Sequence, residues 1–188
     1  MRWDGLFEDL EGQWLAEERR DRDAEVADRT RAERAKVALV ERFAASREQP
    51  LTLSLLTGER VEGSLVDLGA DWLLLRDRAG HDLLLAIDAV VAVAGLSRVS
   101  DPAVTARRFA MGYALRALAR DRATVIVTDR SGGHVSGTID AVGRDWCDVS
   151  EHPVDEARRP GQVRARRTVP VAAIVTVRNA ARSPVVAV

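Results

Sequence analysis

Val61-Glu-Gly63-Ser-Leu65-Val-Asp-Leu-Gly69-Ala-Asp71-Trp72-Leu-Leu-Leu75 lines up, 74 positions further on, with Val135-Ser-Gly137-Thr-Ile139-Asp-Ala-Val-Gly143-Arg-Asp145-Trp146-Cys-Asp-Val149. Five of the 15 positions are identical, and the apolar pairs Leu65/Ile139 and Leu75/Val149 agree in type, so chance is a poor explanation. A second block, Leu85-Ala-Ile87-Asp-Ala89-Val90-Val91-Ala-Val93, matches Val169-Pro-Val171-Ala-Ala173-Ile174-Val175-Thr-Val177 at an offset of 84. The second copy therefore holds about ten extra residues. They fall within Glu151 to Arg167, where Pro153, Pro160, Gly161 and mixed charges spell an exposed loop.

Each copy reads as short strands. Leu51, Leu53 and Leu55 alternate with polar or small neighbours, Thr57-Gly58 turns, Val61, Gly63 and Leu65 alternate again, and Gly69-Ala-Asp71 turns into Trp72 to Leu75. Arg76 to Gly80 makes a further turn before two more short strands between Asp82 and Leu96. Val125, Val127 and the Ser131-Gly132-Gly133 turn repeat the pattern. A glycine inside a strand, as Gly63 and Gly137 are, marks a bend that lets a small sheet curl on itself. Asp101-Pro102 is a helix start, with Val104, Met111, Leu115 and Leu118 on one face to about Arg120 and Phe109 and Tyr113 on the other. Lys36 to Ala45 is its counterpart ahead of the first copy.

Residues 1–35 lie outside the repeat. Trp3, Phe7, Leu10 and Trp14 form one stripe at helical spacing, and from Glu17 to Arg34 charge takes over, with Glu18/Arg22 and Glu25/Arg29 four apart. The reading is one long helix with an aromatic anchor, which packs on its own chain or grips a partner. Its acidic flanks argue against a membrane surface. The expected domains are thus 1–35 (N-terminal helix), 36–100 (helix plus barrel), 101–182 (helix plus barrel, with the insertion at 151–167) and a tail at 183–188.

The 188 residues suit one domain or two small ones, with 46% hydrophobic and 30% charged residues supporting a folded core and a charged surface. Basic residues are 27 Arg and the single Lys36. A lone cysteine, Cys147, excludes an internal disulfide framework and multi-cysteine metal sites. With no long apolar run and no secretory pattern at the N-terminus, the expectation is a cytoplasmic protein. Residues 1–100 carry net −6 and residues 101–188 net +5, a dipole that suits either head-to-tail association or packing of the acidic N-terminus near the chain's own basic C-terminal half.

A helix followed by five bent strands, with Val-x-Gly-x-Leu/Ile before a turn, resembles the Sm-like fold, the SH3-type small barrel of RNA-binding Sm proteins. The resemblance covers about residues 36–96 and 108–178. The α-plus-barrel repeat also resembles proteins of high-GC bacteria. The family's first motif has an Asp six residues after the strand glycine and then a base-holding Asn. Here Gly69 and Gly143 stand at the first place and Leu73 and Cys147 near the second. Its Ile-Arg-Gly motif is Val93-Ala94-Gly95 in one copy and Val177-Arg178-Asn179 in the other. The resemblance implies an α+β protein, a long N-terminal helix plus two tandem helix-plus-five-strand Sm-like small β-barrels.

Chemistry has few candidates. His81, His134 and His152 are isolated and read as surface residues, Cys147 reads as a small buried side chain, and Asp71 and Asp145 read as turn residues. No phosphate-cradling glycine motif or nucleophile–base arrangement is present in the sequence. No catalytic residue, cofactor or metal is expected, and the chain reads as a non-catalytic interaction or assembly module that contacts itself or a protein partner through Trp3, Phe7, Leu10 and Trp14. The alternative is RNA or DNA binding by a basic surface of Arg116, Arg120, Arg158, Arg159, Arg164, Arg166, Arg167 and Arg178.

Overall fold

In the computed structural model, residues 4–101, 109–153 and 165–180 are described, with the side chains of residues 14 and 15 and from 17 onward on the first helix. The chain divides into two compact units, residues 1–38 and 39–188. In the first, α1 (Asp4–Ala35) carries a polar surface laced by ion pairs, Glu18 to Arg22 at 2.5 Å, Asp28 to Arg31, and Glu33 to Lys36 at 2.8 Å. Trp14, Leu15 and Val26 on it are exposed.

The second unit opens with α2 (Leu39–Ala44) and then β1 (Pro50–Leu55), β2 (Arg60–Leu68), β3 (Trp72–Arg76), β4 (Asp82–Ala86), a 3-10 turn at Ile87–Ala89 and β5 (Val90–Ala94). After α3 (Met111–Arg120) follow β6 (Thr124–Asp129), β7 (His134–Val142), β8 (Trp146–Glu151), β9 (Ala165–Pro170), a 3-10 turn at Val171–Ala173 and β10 (Ile174–Asn179). All ten strands join one antiparallel sheet in the order β5-β1-β2-β3-β4-β10-β6-β7-β8-β9.

The expected pair of closed five-strand Sm-like barrels is therefore corrected to one open ten-strand sheet with three helices among the described residues. Closure of each half would need its fourth and fifth strands to meet. Instead β4 pairs with β10, Leu85 opposite Thr176, Leu84 opposite Val177 and Leu83 opposite Arg178, and the two halves become one sheet. One apolar core runs through both halves, from Phe43, Leu53, Leu73 and Leu85 to Val127, Cys147, Ile174 and Val177. Shared burial is the physical reason: a sheet of five short strands has too little apolar surface to stand alone, and joining edge to edge also satisfies backbone groups that would otherwise face water.

Within each half the pairing repeats to the residue. Leu53 opposes Val61 and Val93 as Val127 opposes Val135 and Val177. The bulge between Leu65 and Asp67 recurs between Ile139 and Ala141, and that between Ser54 and Leu55 recurs where β10 meets β6. The strand glycines allow this because a Cβ at Gly63 would lie 2.6 Å from the Arg76 carbonyl oxygen, and one at Gly137 would lie 2.0 Å from that of Ser150.

Two sequence expectations shift. α3 begins at Met111 after extended backbone at Ala110, so the helix read from Asp101 to about Arg120 is not one continuous helix, and residues 102–108 lie outside the described residues. The insertion is shorter than read at both ends, because β8 runs to Glu151 and β9 starts at Ala165.

Candidate functional site

The Gly-x-Asp-Trp turn occurs twice, and its first copy is engaged. Gly69 lets the indole of Trp72 fold back over the turn, since a Cβ there would sit 2.1 Å from the indole nitrogen. The Trp72 Nε1–H donates to the Phe109 carbonyl at 3.0 Å, the Asp71 carboxylate accepts the Met111 backbone N–H at 2.7 Å, and the Ala70 N–H donates to Phe109 at 3.3 Å. These bonds fix the start of α3. Ala110 offers no capping side chain of its own, so Asp71, 40 residues earlier, fills the place of a local N-cap.

The second copy has the same shape. Gly143 donates its N–H to the Trp146 carbonyl at 2.8 Å, as Gly69 does to Trp72 at 2.9 Å, and Asp145 accepts the Val171 N–H at 2.8 Å as Asp71 accepts that of Ile87 at 3.0 Å. The indole again lies over the glycine, 2.4 Å from where a Cβ would be. Yet among the described residues neither the Asp145 carboxylate nor the Trp146 indole N–H has a hydrogen-bond partner. Trp72 is 5% exposed and Trp146 is 38% exposed.

The sheet ends on two unlike edges. Strand β5, Val-Val-Ala-Val-Ala, carries no charge, and Val91 on it is 63% exposed. Strand β9 presents Arg166 and Arg167, the latter paired with Glu151 at 2.5 Å. At the internal seam two ion pairs bridge the halves, Arg178 with Glu59 and Arg130 with Asp88, the second at 2.5 Å. A hollow of about 410 Å³ opens beside the seam, lined by Trp72, Leu84, Tyr113, Leu118, Asp121 and Val177 among others.

The expected arginine surface is distributed over different tasks. Arg116 donates to the Gly143 carbonyl at 3.0 Å, Arg178 and Arg167 sit in ion pairs, Arg120 ends α3, and Arg166 is exposed on β9. Arg158, Arg159 and Arg164 lie outside the described residues, as does Trp3. Phe7 and Leu10 fall on α1 where side chains are not described, and Trp14 is exposed. Phe109 and Tyr113 stack on each other with ring centroids 4.3 Å apart and stay half exposed.

Of the histidines, His152 corrects the surface reading: it is buried, its Nε2 at 2.8 Å from the Thr138 hydroxyl and its Nδ1 at 2.9 Å from the Pro153 carbonyl. His81 contacts Asp77 at 3.0 Å, and His134 contacts Thr128 at 3.1 Å. Cys147 is enclosed, and burial, with the Asp148 charge second, pushes its thiol up to about 11. Among the described residues no group of three or more His, Cys, Asp or Glu could hold a metal ion, and no helix is long and apolar enough to cross a membrane. That the Asp145 carboxylate and the Trp146 indole N–H have no hydrogen-bond partner among the described residues was not visible in the sequence, although the repeat of both residues pointed to the turn. No protein-family model, curated protein or solved structure matches the chain.

Proposed function

We propose that the chain is a non-catalytic assembly module whose copies join by extending the sheet, β9 of one copy against β5 of the next. The observation that carries this reading is the β4·β10 seam: the strands that correspond to β4 and β10 in the other halves are β9 and β5, the two strands that end the sheet among the described residues. An antiparallel edge offers a row of backbone donors and acceptors to a new strand, and an uncharged, exposed edge such as β5 lacks the lysines and prolines that ordinarily block such pairing. If the outer edges met in the register of the seam, Ala92, Val93 and Ala94 would face Val169, Thr168 and Arg167 of a second copy. Such an interface is heterologous, so it closes into a ring or runs on as a chain. The opposite charges of the two halves of the sequence favour the same head-to-tail order.

The test is absolute mass by light scattering over a range of concentrations, with and without a random RNA and DNA pool. We expect a mass of two or more chains that nucleic acid leaves unchanged. The double variant Val91→Lys, Ala94→Lys, which puts charge on the β5 edge and sets one cation opposite Arg167, should be monomeric with an unchanged circular dichroism spectrum and melting temperature. A monomer at all concentrations, or an oligomer indifferent to these lysines, overturns the edge reading. Mass gained only with nucleic acid and lost with salt would replace it by binding through the arginines.

A further inference from the structure

We propose that the hollow between α3 and the sheet at β3, β4 and β10 is a binding site for a small organic cation with an aromatic or apolar body. The proposal goes beyond the assembly reading and does not depend on it. The hollow holds about 410 Å³, within the range of pockets that enclose small molecules. Its floor is the seam itself: Leu74, Leu84 and Val177 are successive partners across β3, β4 and β10, and all three line it. Trp72 and Tyr113 add aromatic surface. The Trp72 indole is held by its bond to the Phe109 carbonyl, and the Tyr113 ring is braced by its stack with Phe109, so both rings are positioned before any ligand arrives.

Charge selects the ligand. Asp67, Asp82 and Asp121 line the hollow, whereas no Arg, Lys or His among the described residues does, in a chain with 28 Lys and Arg. The three carboxylates are not equivalent. Asp82 is already met by Arg76, at 2.7 and 3.1 Å, and Asp67 has interactions of its own. The Asp121 carboxylate makes no hydrogen bond or ion pair among the described residues. It also stands at the C-cap of α3, the negative end of the helix, where a carboxylate is disfavoured and a cation favoured. A cation in the hollow meets this carboxylate and that end of the helix together. Its body then covers Leu84 and Val177 and lies against an electron-rich ring, the arrangement that attracts cations to Trp and Tyr. An anion of the same shape meets only repulsion, and a neutral molecule gains the apolar contact alone.

The test is calorimetric titration of the full chain with three probes that share a phenyl body and differ in head group: phenethylammonium, phenethyl alcohol and phenylacetate. We expect the ammonium to bind one per chain with a dissociation constant on the order of millimolar or tighter. The alcohol should bind about tenfold more weakly and phenylacetate not measurably. In methyl-labelled protein the ammonium should move the signals of Leu84, Leu118 and Val177, which line the hollow. Asp121→Asn should weaken the ammonium about tenfold and leave the alcohol unchanged, a contrast that a structural role of Asp121 would not produce. Asp121 is exposed, so the circular dichroism and melting of this variant should match the parent. Equal binding of ammonium and alcohol, wild-type affinity for ammonium in Asp121→Asn, or signals that move only away from the hollow overturns the proposal. So does failure of all three probes to bind; if the same methyl signals then move with protein concentration, the hollow is covered by a second copy instead.

Discussion

Asp71 and Cys147 show how burial decides the role of a single side chain. Cys147 replaces Leu73 at the corresponding place in the repeat, and both are fully enclosed, so the thiol serves as a small apolar group. With its thiol raised to about 11, almost no thiolate exists at pH 8, and the side chain has no path to solvent. Labelling by a disulfide reagent at pH 8 should therefore proceed only at the rate of unfolding, as measured by hydrogen exchange in parallel; a rapid stoichiometric phase would show that the thiol is accessible. The enclosed role of Cys147 was legible in the sequence from its place in the repeat. That of His152 was not, because its partners Thr138 and the Pro153 carbonyl come from a turn and a neighbouring strand that no local pattern links.

At the scale of elements, α3 carries the clearest lesson. Its apolar face is legible in Met111, Leu115 and Leu118, all wholly or partly buried, but its first residue is not. The Asp101-Pro102 pair is a good local start signal, yet the start is set by Asp71 through a bond that spans 40 residues. Asp71→Ala should lower the stability of the dilute protein by about 1–2 kcal/mol, the loss of a capping acceptor to a buried helix start. Asp145→Ala, at the twin position without that bond, should stay within about 0.5 kcal/mol. Chemical denaturation of the two variants side by side reads the contrast, and equal losses would show that the carboxylates act within their own turns. The strands were legible from alternation and from the repeat, since both depend on side chains, whereas the bulges after Leu65 and Ile139 fall beyond Gly63 and Gly137, the positions that the sequence marks for a bend. Which edges meet was not legible, because β4 and β10 are joined by backbone groups that every residue carries.

For the whole molecule, the seam is the controlling feature. Leu84 and Val177 face each other across it and are buried, so Leu84→Ala should cost about 2–4 kcal/mol and lower the melting temperature of both halves in one transition. Two separate transitions in calorimetry would show that the halves are independent. The connection between β5 and β6 keeps β4 and β10 within reach of each other permanently, whatever the amount of protein. A tether of that length holds its ends at an effective concentration on the order of millimolar. A contact of very modest affinity is therefore always made inside the chain, while the proposed contact on the same plan between chains would form and break with abundance. Damage to the inner contact is felt as instability, and damage to the proposed outer one would be felt only when the cell holds enough of the protein for it to matter.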